Sequence, residues 1–358
     1  GCYPKRVGLA RGSWSVVLFP KDAHGLNPIE ITIAEVLKRA GYTTGCFGKW
    51  HLGDQPEFLP TNHGFDTYFG IPYSNDMWPP HPEADEWDVP TPPLPILRDD
   101  KVIEIVENMD DQAELCKRFT DEATDFIIKN KDKPFLVYLP HAFIHFPWQA
   151  RVEFMESAGL DDDLDEQEMI GGYDYYTNKR VKAQIEEVDW SIGRILETIE
   201  EQGLAENTMV IFTSDNGGAG GSSNHPFRGF KGSTWEGGMR EPAIAWWPGT
   251  IANTTCDEIA TTMDMLPTIA ALAGAKIPDD RVIDGKDISP LLLGEADAKT
   301  PHEAFFYYRT DELKAVRSGS WKLFTNGQLY NLDIDPGEQR NVADQNPGVV
   351  SRLNKYLE

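Results

Sequence analysis

The chain has 358 residues, a formal net charge of −25 and 40% hydrophobic residues. That length suits a large globular enzyme with one main core and a smaller second one. The acidity argues against a general nucleic-acid binder, yet it leaves an anionic small substrate open, because a local cluster of Lys, Arg, His and metal can reverse the potential inside a cleft. The four cysteines Cys2, Cys46, Cys116 and Cys256 are far apart and lack metal-ligand spacing. They indicate neither a disulfide framework nor a compartment. No run is long enough to span a membrane. The chain opens at Gly1 without Met, so any targeting address is expected upstream of it.

In chain order, residues 1–27 are rich in Gly and Pro and read as loop. Thr32 and Glu35 have the spacing of a capping box. Ile33, Val36, Leu37 and Ala40 share a helical face, which Gly41 ends. Residues 43–47 are a short strand candidate running into Gly48-Lys49-Trp50-His51-Leu52-Gly53, where two basic groups sit two apart between glycines. Residues 54–98 carry many Pro and aromatic residues and read as a long irregular insertion that lines a binding site. A helix is expected over 111–130, with Leu115, Phe119, Ala123, Phe126 and Ile127 inward. Residues 135–139 read as a buried strand, followed by His141 and His145. Residues 161–168 read as a solvated acidic loop. A long amphipathic helix is expected over 177–202, with Val181, Ile185, Val188, Ile192 and Leu196 inward and Gly203 at its end.

The apolar run 208–213 reads as the central buried strand, and Ser214-Asp215-Asn216-Gly217-Gly218 follows it. Ligands in open α/β sheets bind beyond the carboxyl ends of strands, and a carboxylate beside an amide oxygen suits a hard cation. A Gly/Ser-rich stretch then leads to Lys231. Residues 243–247 form another strand, and Asp264 caps a helix running to Gly274. The alternation predicts an α/β fold with a mostly parallel, mixed central sheet and helices on both faces. After about residue 296 short strands with tight turns (304–309, 314–318, 321–325, 328–331) predict a small antiparallel sheet, and a terminal helix starts near Pro347. The expected division is therefore 1–295 for the main α/β domain and 296–358 for a small C-terminal α+β subdomain.

Three strand ends and one loop thus supply polar groups: Lys49 and His51, then His145, then Asp215 and Asn216, with Lys231 on the loop. Singly, each has a plain explanation as a surface lysine, a structural histidine or an Asx turn. Their convergence is what a site at the top of an α/β sheet requires. The chemistry they suit is attack on a tetrahedral oxyanion ester. A divalent cation on Asp215 and Asn216 would polarise the ester oxygens. Lys49 and Lys231 would neutralise the developing charge. His145 or His51 would protonate the leaving oxygen or take a proton from the nucleophile.

At these residues the sequence resembles the sulfatase family, arylsulfatase-A-like within the alkaline-phosphatase-like superfamily. The segment 48–53 is similar to the family's second signature. The segments Asn62-His63-Gly64-Phe65-Asp66 and Gly70-Ile71-Pro72-Tyr73-Ser74 are similar to the stretch next to that signature in arylsulfatase-A-like members. Residues 135–147 resemble the strand ending in the catalytic histidine, which places that role on His145 rather than His141. Residues 213–217 resemble the metal-ligand loop, 228–242 the loop bearing the sulfate-binding lysine, here Lys231, and 329–341 the closing segment. The resemblance implies sulfuric ester hydrolysis, one calcium ion, Ser74 as a substrate-binding residue and a formylglycine nucleophile made from Cys or Ser in a C/S-x-P/A-x-R motif. It implies a sulfated small molecule or sulfated glycan as substrate, and a periplasmic or secreted parent protein.

Cys2-Tyr3-Pro4-Lys5-Arg6 fits C-x-P-x-R, but Gly1–Gly8 fits better the family's continuation Thr-Gly-x-Tyr-Pro-x-Arg-x-Gly, which places the nucleophile upstream. The expectation is a sequence truncated at its N-terminus. It would lack the nucleophile and two Asp ligands, fail to turn over by itself, bind calcium weakly and expose an unpaired, aggregation-prone sheet edge. The rival readings are a phosphatase or phosphodiesterase of the same superfamily and a non-catalytic binder of sulfated glycans. Tyr73, Trp78 and Trp87 are available to stack on a ring of the leaving group, with ordinary loop packing as the alternative.

Overall fold

The structure is a computed structural model, and it describes residues 1–10, 17–81, 84, 91–160, 175–219 and 222–357. The acidic stretch 161–168 and Trp87 lie outside the described residues.

The strand β1 (Thr43–Lys49) organises the main sheet. It pairs in parallel with β2 (Thr67–Ile71) on one side and with β5 (Phe135–Tyr138) on the other. A hairpin of β3 (Leu94–Arg98) and β4 (Lys101–Val106) extends β2 with antiparallel pairing, giving the order β4-β3-β2-β1-β5. The sheet is mixed, with its parallel pairings around β1. The antiparallel hairpin begins inside the stretch that reads as irregular from its Pro and aromatic content.

Successive residues of a strand face opposite sides, and β1 buries both. Cys46 points into a cluster with Ala34, Trp50, Leu59, Phe65 and Tyr68. Phe47 points into the larger cluster with Phe69, Leu115, Phe119 and Ile127. Helices therefore cover both faces. The Ile33–Arg39 helix lies on the Cys46 side, started by the expected Thr32–Glu35 capping box and stopped by Gly41 at φ 91°. The Leu115–Asn130 helix lies on the Phe47 side with its expected apolar stripe buried. Burying a ring such as Phe119 contributes about 1.5–3 kcal/mol. At the carboxyl end of β1 a Cβ on Gly70 would stand 1.8 Å from the Gly48 carbonyl oxygen, and one on Gly48 would stand 2.1 Å from the Pro140 oxygen. Glycine at these two places lets three chain segments converge where Lys49 leaves the sheet.

The Tyr175–Glu201 helix packs against both the Leu115–Asn130 and Val152–Ser157 helices. Its inward face is only partly the one its apolar period predicts: Val181 is buried and Val188 packs on the main cluster, with Ala183, Ile195 and Ile199 buried beside them. Ile185 is 49% exposed, whereas Arg180, Gln184, Glu187 and Ser191 are buried. The polar stripe faces inward because it serves backbone groups of the segment after β5.

Strand β6 (Val210–Thr213), expected to be central and buried, pairs only with β7 (Ala243–Trp246), antiparallel and in a separate two-stranded sheet. All four of its residues are half-buried. Val210 and Trp246 pack on the same cluster as Phe135 and Val137, so the pair stands beside β5. Among the described residues β5 and β6 each keep one backbone edge unpaired, and Tyr138 is 45% exposed.

Asp264 stands at the N-cap position of the Met265–Leu272 helix, as expected, but its side chain serves the preceding Thr262–Asp264 turn, accepting from Thr261 N at 2.7 Å. The C-terminal sheet has the order β11-β10-β9-β8, all antiparallel, from β8 (Phe305–Arg309), β9 (Glu312–Ser318), β10 (Trp321–Phe324) and β11 (Leu329–Asn331). The Pro347–Asn354 helix covers one face through Leu353, against Val316, Leu323 and Leu329. The other face, with Tyr307, Phe324 and Tyr330, packs on Trp235 and Met239 of the segment that follows Lys231. No described helix is long and apolar enough to cross a membrane.

Candidate active site

Beyond Gly48 the backbone of Trp50 and His51 bonds to Ile71 and Pro72. This lays the 48–53 loop along the end of β2 and brings Lys49 to Ser74, Nζ to Oγ 3.5 Å. Ser74 is buried. Burial lowers the Lys49 pKa, the carboxylates of Asp215 and Asp76 oppose that, and the charge of Lys231 adds to it. His51 Nε2 lies 2.9 Å from the Leu18 carbonyl oxygen. A carbonyl only accepts, so Nε2 carries the hydrogen and the lone pair sits on Nδ1. Burial, and then the Lys49 charge, push the His51 pKa down to about 4, which keeps the ring neutral at pH 7.

His145 reaches the same place from the end of β5. Its Nε2 is 3.2 Å from Lys231 Nζ and its Nδ1 is 3.0 Å from the Phe146 oxygen. An ammonium and a carbonyl fix the tautomer: Nδ1 donates and Nε2 accepts. Burial lowers its pKa, and Lys49 and Lys231 lower it further against the opposing Asp76. Asp76 Oδ2 stands 3.9 Å from His145 Nδ1, and the buried Asp76 Oδ1 has no hydrogen-bond partner. Asp76 is a site residue the sequence reading missed. The signal for it was the polar trio Ser74-Asn75-Asp76 just past a strand parallel to β1.

The segment carrying His145 is held from below by the polar stripe of the Tyr175–Glu201 helix. Gln184 Nε2 donates to the carbonyls of Pro147 (3.2 Å) and Gln149 (3.1 Å). Glu187 takes Arg151 through both its backbone N and its Nε. Ser191 Oγ bonds His141 Nε2 at 3.0 Å and Thr120 Oγ1 at 2.6 Å. His141 is thus a half-buried structural group whose buried Nδ1 has no hydrogen-bond partner.

Lys231 is set from two sides. Its backbone N donates to Gly218 O at 3.1 Å. Asn224 clamps the two loops, accepting from Gly218 N (2.9 Å) and donating to the carbonyls of Gly218 (2.9 Å) and Gly229 (3.0 Å). Asp215 and Asn216 sit on the same 214–218 loop, and the Asp215 charge is felt at Lys49. A third carboxylate, Glu241, stands near Asp215 because β6 and β7 pair Thr213 with Ala243. Burial, and then the Asp215 charge, push the Glu241 pKa up to about 7. The structure therefore brings together Lys49, His51, Ser74, His145 and Lys231, with Asp215 within electrostatic reach of Lys49 and Asn216 next to it in the chain.

Other residues singled out from sequence lie elsewhere. Tyr73 and Trp78 are 5% and 2% exposed, and Tyr73 donates to the Pro93 oxygen, so neither presents a stacking face. The aromatic rings beside His145 are His81, Phe146 and Trp148, arranged edge to face at 5.0 and 5.3 Å. Cys2 Sγ is 3.1 Å from the Val282 oxygen, Arg6 makes a two-pronged ion pair with Asp284, and Tyr3 packs on Phe305, Phe306 and Tyr308 of the C-terminal sheet. Cys46 and Cys116 are core residues. The C-x-P-x-R match is thereby docked on the C-terminal sheet. Cys2 is expected to remain an unmodified thiol by peptide mass spectrometry. A Cys2→Ala variant should keep its sulfate affinity within about twofold, as surface substitutions away from a site usually do. Formylglycine at Cys2 would contradict this placement.

Asp215 and Asn216, with Glu241 nearby, are hard oxygen donors of the kind calcium takes, but calcium takes 6–8 of them. No group of three or more His, Cys, Asp or Glu side chains among the described residues is arranged to hold a metal. The donor set fits calcium in kind and falls short of its usual number of ligands.

Comparison with known proteins identifies the family. Residues 10–275 match the family model described as Sulfatase, and residues 230–358 that described as N-sulphoglucosamine sulphohydrolase, C-terminal. The chain is 35% identical to human arylsulfatase A, across 99% of this chain and 77% of that protein. It is 37% identical to canine N-acetylgalactosamine-6-sulfatase (94% and 66%) and 34% identical to rat steryl-sulfatase (94% and 68%). Among solved structures, Ps i-CgsB in complex with k-i-k-neocarrahexaose superposes with a TM-score of 0.78 at 27% identity, over 99% of this chain and 78% of that one. The PsFucS1 sulfatase from Pseudoalteromonas sp. shares the fold, with a TM-score of 0.83 at 24% identity over 99% and 76%. With the family model spanning residues 10–275 and these relatives covering nearly the whole chain, the chain belongs to the sulfatase family, whose members hydrolyse sulfuric esters.

Proposed function

We propose that Lys49, Ser74, His145 and Lys231 bind the sulfate group of a sulfate monoester, and that His51 and His145 move the protons of its hydrolysis. The 3.2 Å approach of Lys231 Nζ to His145 Nε2 carries this reading. It couples an anion-binding cation to a proton-transfer group from a distant strand end.

Asp215 and Asn216 would hold part of a calcium shell. When bound, the cation polarises the ester oxygens and the family's formylglycine provides the attacking hydroxyl. The remaining work falls to the described residues. Lys49 and Lys231 face the sulfate oxygens and neutralise charge that builds there. His51 has its free lone pair on Nδ1 and takes the nucleophile's proton. His145 is neutral at rest. An anion bound beside it favours its charged form, so substrate binding loads Nε2 with the proton it then gives to the leaving oxygen. The substrate on this reading is a sulfated small molecule or sulfated glycan, and the protein works in the periplasm or outside the cell.

The test is release of sulfate against release of phosphate from paired aryl esters, by the enzyme with its formylglycine in place. Sulfate release faster than phosphate release is expected. Faster phosphate release would favour a phosphatase, and ligand binding without any turnover would favour a binding protein.

A further inference from the structure

The strongest charge cluster outside the site lies directly behind it. Lys322 on β10 is fully buried. Its Nζ donates to the Thr234 oxygen (2.7 Å) and Glu236 Oε1 (3.0 Å) and makes an ion pair with Glu338 Oε1 (2.8 Å). Glu236, 1% exposed, also accepts from the Tyr307 hydroxyl (2.7 Å), Arg240 Nε (2.8 Å) and Arg317 (3.1 Å). Glu338, fully buried, takes the backbone N of Glu236 at 2.7 Å. Burial alone would raise the Glu236 carboxyl, but Lys322 and Arg317 hold it down to about 2. Three elements of the C-terminal part thus grip the one short Glu236–Met239 turn.

That turn meets both functional loops through backbone hydrogen bonds. Gly237 N donates to Arg228 O at 2.7 Å, and Gly217 N donates to Gly238 O. A Cβ on Gly217 would come within 2.0 Å of the Gly237 oxygen, and one on Gly238 within 2.5 Å of the Phe230 oxygen. The loops holding Asp215–Asn216 and Lys231 are therefore packed closely against the glycine backbone of this turn. A shift of the turn must move them.

We propose that Glu236, Lys322 and Glu338 are positioning residues, which set Lys231 and the Asp215–Asn216 loop for the sulfate group through the Gly237–Gly238 backbone. This rests on the sulfate-site reading above. A buried ion cluster is weak evidence for stability, since apolar replacements often do as well. Its contact with two functional loops gives it another use, as supporting shells have in other sites.

The test is calorimetric titration of the chain with inorganic sulfate, well below each variant's melting temperature. The variants are K322M, Y307F and, as a control for the site, K231A. Outer-shell replacements typically cost 10–100-fold, so K322M is expected to weaken sulfate about tenfold and Y307F about threefold. Either variant folding with a lower Tm but binding sulfate as the parent does would overturn the positioning role and leave a structural one. If K322M does not fold, Y307F decides, since it deletes a single hydroxyl. Sulfate binding that K231A leaves unchanged would remove the site reading itself, and the positioning role with it.

Discussion

Replacing Lys49 with Met is expected to weaken sulfate binding by about 100-fold, or about 2.7 kcal/mol, the size of a lost charge-assisted hydrogen bond in a part-buried site. Lys231→Ala should cost less, about tenfold, because Lys231 is exposed and solvent screens its charge. Lys49 is held between Ser74 and the carboxylates of Asp76 and Asp215. Its loss leaves those carboxylates facing the anion, and like charges repel it. Calorimetric titration with sulfate measures both variants. A Lys49→Met protein that binds within threefold of the parent would show that the anion sits elsewhere.

The second large effect is on stability in acid. Burial pushes the His141 pKa down to about 4. The unfolded chain takes up this proton near pH 6.5, and the folded chain only near pH 4. The unfolded state therefore binds more protons throughout that window, and folding is weakened as pH falls from 6.5 to 4. At 1.36 kcal/mol per pH unit the loss from His141 is about 3 kcal/mol. His51, also lowered to about 4, acts in the same direction. Glu241, raised to about 7, opposes both: it gains its proton in the folded state first and adds stability as pH falls below 7. A comparison of urea unfolding for the parent and a His141→Asn variant isolates the one group. The parent should lose about 3 kcal/mol more than the variant between pH 6.5 and 4. Parallel curves would contradict the assignment of His141 as a buried neutral ring.

Local signals carried much of this fold into the sequence. The Thr32–Glu35 spacing gave a helix start, and the short C-terminal strands appeared within a few residues of their expected limits. The strand ends bearing Lys49, His145 and Asp215 were legible because short strand-like runs stop there and polar or basic residues follow. Three features were hidden. The inward face of the Tyr175–Glu201 helix is mixed: Val181, Ile195 and Ile199 are buried, but so is a polar stripe that the apolar period does not show. Gln184, Glu187 and Ser191 are buried because the 141–151 segment, itself irregular, needs donors and acceptors for its backbone and side chains. The contributions of Asp76, Asn224 and Glu241 depend on which loops meet, and spacing along one chain does not give that. The exposure of β6 was unreadable for the same reason. A buried apolar run and a half-buried one look alike until the partners of the strand are known.

The central claim is that the sulfate group binds beside the His145–Lys231 pair, on the side of Lys49 and Ser74. It is tested most directly by following the imidazole NMR signals of His145 while the chain is titrated with inorganic sulfate. On this account the His145 signals move saturably, with the same Kd that calorimetry gives, and its pKa rises as the anion binds. The His141 signals, behind Ser191, stay in place. Sulfate that binds without moving His145, or that leaves its pKa where it was, would contradict the site described.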